Sequence, residues 1–421
     1  MAIPGRRSRR TITLLAAVGA IVASFTLGSP PARADYTVQT GVSYAASSPS
    51  NPALNQLDLY LPDGQAKELR PVVVWVHGGA WMTGDKSNRM TDKAKLFTDA
   101  GYILVSVNYR LSPDITESQT FPANRITYPV HPNDLSASLS WISRNIASYG
   151  GDPDALLLAG HSAGAHLVSL VGSDPFWLED RGQSLKQVLG VVSLDAGALD
   201  VVDNATQTTP NPTNNNYLIW NAFGTPAEEA VNPRWKVASP ITWADPGDPR
   251  SLLVTQASKP PRIAESERMA NALGQDPAGV FRAPLDHEGI NLALGDPADA
   301  SGETQAVMAF LAGRLASRVY PKVSIRKRPA NVARVGRKRS GKLKKRQVRF
   351  AFTGSGVTGG FQCRLDKASF KACASPRKVR VGGGKHAFRV RPLYPSGRPG
   401  AEKVVKFTIK GKKARQQRKH R

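Results

Sequence analysis

Leu156-Leu157-Leu158-Ala159-Gly160-His161-Ser162-Ala163-Gly164 decides the fold, because three kinds of local structure meet within it. The leucine run lacks polar alternation, as a strand buried on both faces does. Ala165, Leu167, Val168, Leu170 and Val171 then follow a helical pattern. Between them lies G-x-S-x-G, the signature of a sharp strand-to-helix turn that lifts a serine hydroxyl to the top of a sheet. Small neighbours relieve the crowding, and the amide of Ala163 faces any oxyanion at the positive end of the helix. A glycine-flanked helix start capped by Ser162 would read the same way if the motif stood alone.

Outward from this turn the same alternation repeats. Val72–Val76, Ile103–Val107 and Val191–Leu194 read as further buried strands. Asn55–Leu61 alternates like a half-buried strand, and Leu252–Val254 with Val280-Phe281 are weaker candidates. Leu135, Leu139, Ile142 and Ile146 share one helical face. Helices are also expected around Arg268–Leu273 and Val307–Leu315. Strands alternating with helices predict an α/β fold with a mostly parallel, doubly wound sheet. Chemistry is then expected in loops leaving the carboxyl ends of strands.

One such loop is His77-Gly78-Gly79-Ala80-Trp81, directly after Val72–Val76. Two glycines there let backbone N–H groups point inward, as an oxyanion loop requires. With Gly84-Asp85-Lys86, Tyr149-Gly150-Gly151-Asp152-Pro153-Asp154, Gly160–Gly164 and His287-Glu288-Gly289-Ile290-Asn291, this loop completes a set of motifs. Over residues 40–315 the chain resembles α/β-hydrolases of the HGG-motif esterase group. That group includes hormone-sensitive-lipase-like, kynurenine-formamidase-like and feruloyl-esterase-like enzymes. The resemblance implies Ser162 as nucleophile, the amides of Gly78, Gly79 and Ala163 as oxyanion hole, and His77 as a brace of the loop.

Of seven histidines, those before Ser162 fail the chain order Ser…acid…His. His166 sits one helical turn beyond the serine, and His386 and His420 lie in the tail. His287 follows the last short strand, where the resembling family keeps its base. That family's acid usually follows the strand at Ser251–Thr255. Here the loop reads Gln256-Ala257-Ser258-Lys259-Pro260-Pro261-Arg262, with no carboxylate. Asp195, at the end of Val191–Leu194, is the leading alternative, since it can reach the back of His287. Glu265 and Glu267 on the next helix are others, and a dyad without an acid is a further one. Asp286 adjoins His287 in a poor geometry, while Asp134 and Asp200 read as structural charges.

Charge divides the chain more sharply than length does. Its net charge is +25 over 421 residues, yet residues 322–421 carry 32 Lys and Arg against Asp366 and Glu402, a net of +30. Residues 1–34 add +5, leaving −10 for residues 35–321. The expected organisation is a signal peptide at 1–34, a catalytic domain at 35–320, a basic linker at 321–347, an all-β domain at 348–410 and a basic tail at 411–421. Arg6 to Arg10, an apolar run from Ile12 to Leu27 and Ala32-Arg33-Ala34 carry the leader reading. Export by the Sec route, or the twin-arginine route through Arg9-Arg10, is the expected consequence.

From Val348 short alternating strands and Gly/Ser/Pro turns recur. Phe361–Asp366, Ala372-Cys373 and His386–Val390 resemble bacterial Ig-like modules. Cys363 and Cys373 fit a disulfide in such an exported module. Aromatics Phe121 and Tyr128 in 112–133, and the polar stretch 200–220, are expected to overhang the site. No metal-ligand cluster, phosphate loop or nucleic-acid fold is apparent, so no cofactor is expected. The expected activity is hydrolysis of small or medium carboxylic esters through an acyl-enzyme, with the tail holding an anionic cell-envelope polymer. An inactive hydrolase scaffold that only binds the envelope is the alternative, and the acid-free loop is its support.

Overall fold

The structure is a computed structural model that describes residues 36–45, 51–64, 66–117, 120–206, 216–356 and 359–412. The expected leader at 1–34 and His420 lie outside the described residues.

Eight strands form one sheet: β1 (Tyr36–Ser43), β2 (Gln56–Pro62), β3 (Arg70–Val76), β4 (Ile103–Val107), β5 (Gly151–His161), β6 (Val188–Leu194), β7 (Ser251–Gln256) and β8 (Phe281–Ala283). Their order is β1-β2-β4-β3-β5-β6-β7-β8. The two first strands run antiparallel and β3 through β8 run parallel. The expected doubly wound α/β architecture is therefore present. β4 and β5 are buried along their entire length, which explains their unbroken apolar runs.

Helices cover both faces. On one, Leu135, Leu139 and Ile142 of helix Val130–Asn145 pack with Leu167, Val168 and Leu170 of helix Ala163–Ser173 against Val72, Val74 and Leu158. On the other, Phe97 of helix Met90–Asp99 and Val307 and Leu311 of helix Glu303–Ala316 pack on Val73, Leu157 and Val192. Odd and even residues of one strand thus feed different cores, as the two-residue period dictates. At roughly 25 cal/mol per Å² of apolar surface, these layers supply the main stabilisation.

The basic remainder forms two further sheets. β9 (Lys322–Lys327), β11 (Arg346–Ser355) and β14 (Arg377–Val381) make one. β10 (Val332–Val335), β12 (Gly360–Leu365), β13 (Lys371–Ala372), β15 (Gly384–Leu393) and β16 (Lys403–Gly411) make the other. Phe350, Phe352, Phe388 and Phe407 fill the core they share, with the Phe350 and Phe388 rings stacked 3.9 Å apart. Cys363 and Cys373 are disulfide-bonded.

The stretch 321–347, expected to be a basic linker or a first strand, holds two strands, β9 and β10. Val323, Ala333 and Val335 point into the β core while charged neighbours face out. The density of Lys and Arg masks this short two-residue alternation in the sequence. The β unit also docks on the N-terminal end of β5. Arg398 pairs with Asp152 and Asp154, Ser396 bonds Asp154 through both its amide and its hydroxyl, and Arg318 reaches Asp152.

Candidate active site

Each component sits at the carboxyl end of a parallel strand. β5 ends at His161, and Ser162 takes φ 55°, ψ −118° before helix Ala163–Ser173 begins. That left-handed backbone is costly for a serine and is enforced by packing. A Cβ at Gly160 would meet the backbone of Gly164 at 2.6 Å, and one at Gly164 would strike the Val76 carbonyl of β3. The Ser162 amide donates to Leu194 O at 2.9 Å, and its carbonyl accepts from Gly197 N and His166 N. The first residue of a helix has no intrahelical acceptor for its amide, so the Ala163 N–H remains for a ligand at the positive helix end.

The glycine pair after β3 is equally constrained. Gly79, Ala80 and Trp81 all have positive φ, at 116°, 51° and 60°. A Cβ at Gly79 would collide with the Thr83 carbonyl, and one at Gly78 would lie 3.0 Å from the Ser162 Cβ. Trp81 anchors the strained turn, buried against Phe223 and His166. His77 braces it: its Nδ1 donates to Gly78 O at 2.7 Å and its ring stacks on Tyr109 at 4.6 Å. Burial pushes the His77 pKa down, consistent with a neutral donor. Asp85 accepts from Asn108 of the β4 exit at 2.7 Å, and Lys86 pairs with Asp58. These contacts explain Gly84-Asp85-Lys86 as an anchor of the loop.

His287 opens helix His287–Ala293, with Asp286 capping the helix through Gly289 N at 2.7 Å. Its Nε2 lies 2.9 Å from Ser162 Oγ, and its Nδ1 lies 2.5 Å from Asp195 Oδ2. Asp195 follows β6 in a left-handed conformation, φ 44°. Burial alone would raise its carboxyl. The hydrogen bond from His287 and the charge of Arg262 outweigh that and hold it below the usual carboxylate range.

The other candidates are elsewhere. Glu265 accepts from the amides of Leu199 and Asp200 and from Asn204, at 2.7–2.8 Å, which corrects its standing as an alternative acid. Glu267 pairs with Arg282 at the surface. His166 donates to Ala238 O inside the core, and His386 bonds Asp366 in the β unit. Asp134 forms a two-pronged ion pair with Arg110.

Sequence reasoning passed over three neighbours of the triad-like line. His161, the variable residue of G-x-S-x-G, donates from Nε2 to His287 O at 2.8 Å. Burial first, then the charge of His287, press its pKa down to about 3. Gln256 and Arg262 both reach Asp195. Their only sequence signal was membership of the acid-free loop.

The site opens into a cleft of about 930 Å³, lined among others by Trp81, Asn88, Arg89, Leu218, Ile219 and Asn291. The overhang expected from 112–133 is corrected in part. Phe121 stacks on Tyr217, and Tyr128 turns to Trp177 and Phe223, while the 200–220 stretch contributes Leu218 and Ile219 to the wall. Among the described residues no cluster of His, Cys, Asp or Glu is arranged to hold a metal ion. No helix among them is long and apolar enough to cross a membrane.

The family model described as BD-FAE matches residues 57–273. The chain is 34% identical over 142 residues to the probable carboxylic ester hydrolase LipM of Mycobacterium tuberculosis, covering 34% of this chain and 30% of that protein. It is 38% identical over 117 residues to the esterase LipQ of the same organism, covering 28% and 25%. It thus spans between a quarter and a third of the length of these curated relatives. Among solved structures, a truncated carbohydrate esterase from gut microbiota superposes with TM-score 0.51 at 21% identity, covering 68% of this chain and 99% of that one. Esterase 2 of Thermogutta terrifontis, phosphonylated by sarin, gives 0.50 at 18%, covering 66% and 94%. The fold is that of the α/β-hydrolases.

Proposed function

Because the chain belongs to the BD-FAE family, we propose that it is a serine hydrolase of carboxylic esters with small or medium acyl or aryl groups. The observation that carries this reading is the continuous line Ser162 Oγ–His287 Nε2, His287 Nδ1–Asp195 Oδ2, at 2.9 and 2.5 Å. His287 Nε2 takes the hydroxyl proton as Ser162 Oγ attacks the acyl carbon. The buried Asp195 carboxylate holds the Nδ1–H tautomer and stabilises the imidazolium. The carbonyl oxygen gains charge where the amides of Gly78, Gly79 and Ala163 converge. His287 then returns the proton to the leaving alcohol, and water attacks the acyl-enzyme by the same route in reverse.

The test is hydrolysis of a chromogenic ester series of increasing acyl length. Wild type turns over the short members, and Ser162→Ala loses turnover by about 10⁴-fold or more while keeping its melting temperature. Equal turnover by the two proteins would overturn the reading.

We further propose that the chain is exported and that its β unit, an Ig-like module, retains it on an anionic envelope polymer. Support comes from the disulfide, which persists in oxidising compartments, and from the outer sheet face. There Arg334, Lys385, Lys406 and Lys410 are exposed while their strand neighbours Val405, Phe407 and Ile409 point inward. Both acids of the unit are engaged, Glu402 with Arg389 and Arg364, Asp366 with His386. Replacing those four cations by Gln lowers the salt concentration at which the full chain leaves an envelope fraction; unchanged elution contradicts the proposal.

A further inference from the structure

We propose that Gln256 and Arg262 are positioning residues that clamp the Asp195 carboxylate, so that the end of β7 supports an acid delivered by β6. This rests on the triad reading above.

The Asp195 side chain is fully buried and its two oxygens are served by several donors. Oδ2 accepts from His287 Nδ1 at 2.5 Å and from Gln256 Nε2 at 2.7 Å, with Arg262 Nη1 at 3.6 Å. Oδ1 faces Thr255 Oγ1 at 3.3 Å and the Gln256 amide at 3.4 Å. Arg262 also donates to Ala196 O at 2.6 Å and to Asp195 O at 3.4 Å. It therefore grips the left-handed backbone turn as well as lying beside the charge.

A buried carboxylate without partners would take a proton or swing to water. Either change costs His287 its Nδ1 acceptor and lets the ring adopt the wrong tautomer. Gln256 is the last residue of β7, and Arg262 lies in the first turn of helix Pro260–Ala272. An amide and a guanidinium thus occupy the β7 exit where a carboxylate would repel Asp195.

Other charged groups nearby are differently engaged. Lys93 donates to the carbonyls of Arg89 and Asn291, and His161 donates to His287 O. Asp286 caps its helix, Glu288 lies 4.0 Å from Arg89, and Glu303 is buried behind Lys93. Among the described residues, the cations within ion-pair distance of Asp195 are Arg262 and, when protonated, His287.

The experiment measures kcat, KM and the pH profile of kcat/KM on p-nitrophenyl acetate for the full chain and its Gln256→Leu, Arg262→Met and Arg262→Lys variants. Gln256→Leu and Arg262→Met are expected to lower kcat roughly 10- to 100-fold with little change in KM. Once the carboxylate is lost to His287 the imidazolium loses its counter-charge, so Gln256→Leu moves the acid limb to lower pH, while Arg262→Lys, which keeps the cation, stays near wild type. A drop in melting temperature with kcat and the acid limb unmoved overturns the clamp, as does a rise in KM alone. The downfield proton NMR signal of the Nδ1–H shared by His287 and Asp195 gives a readout independent of turnover. If wild type hydrolyses nothing, the enzymatic reading fails while this signal still judges the clamp: lost or shifted in Gln256→Leu, it supports it; unchanged, it overturns it.

Discussion

His161 and His287 face each other with ring centroids 4.6 Å apart, and the Nε2–H of His161 bonds the backbone carbonyl of His287. The residue before the serine thus holds the segment that carries the imidazole. His161→Leu removes that donor while keeping comparable bulk. It is expected to lower kcat about 10- to 100-fold through misplacement of His287, and His161→Gln, which keeps a donor, to recover part of the loss. Steady-state kinetics on both variants decide it; equal rates for Leu and wild type would contradict the role.

Asp195 and Glu265 differ in their partners: the first accepts from His287, the second from the amides of Leu199 and Asp200. Asp195→Asn should cost about 10⁴-fold in kcat, because an amide favours the wrong histidine tautomer. Glu265→Gln keeps an oxygen for the amides of Leu199 and Asp200, so kcat should stay within a few-fold and only stability decline. Turnover and thermal unfolding of the two variants check the assignment.

Gly79 and Gly313 form a contrasting pair. Gly79 has φ 116° and no room for a Cβ beside Thr83, so Gly79→Ala should distort the oxyanion loop and lower kcat roughly 10²- to 10³-fold. Gly313 lies exposed in helix Glu303–Ala316 with open space around it. Gly313→Ala should leave kcat unchanged and add about 0.5–1 kcal/mol of stability, read by denaturant unfolding.

Glu303 gives a pH-dependent prediction. It is fully buried and neither carboxylate oxygen has a hydrogen-bond partner. Burial first, and Asp299 second, push its carboxyl from an ordinary 4.5 up to about 8. The folded chain retains a proton that the unfolded chain releases, so this group's contribution to stability falls as pH rises from about 4.5 to about 8. Glu303→Gln removes that loss. Its melting temperature should exceed that of wild type at pH 8 and converge with it near pH 4.5. A constant offset at both pH values would contradict the account.

Much of the fold and of the candidate site is legible in the sequence. Ser162, Gly78 and Gly79 could be read because their motifs encode backbone constraints, which local sequence carries directly. His287 follows from chain order only together with the helical place of His166, the tail position of His386 and His420, and the point where the resembling family keeps its base. Asp195 stayed one choice among several, because its identity depends on which strand end lies behind the imidazole, a relationship between β6 and the segment at 287. Gln256 and Arg262 were invisible for the same reason, since their partners are 61 and 67 residues away. β9 and β10 were hidden by charge, since two inward residues per strand carry little periodic signal amid lysines and arginines.

The central claim is that Ser162 is an activated nucleophile, and mass spectrometry after treatment with a fluorophosphonate tests it most directly. A single adduct on the peptide containing Ser162, slowed strongly in His287→Ala and Asp195→Asn and absent in Ser162→Ala, is the predicted result. An unlabelled wild-type protein, or labelling that ignores His287 and Asp195, would contradict it.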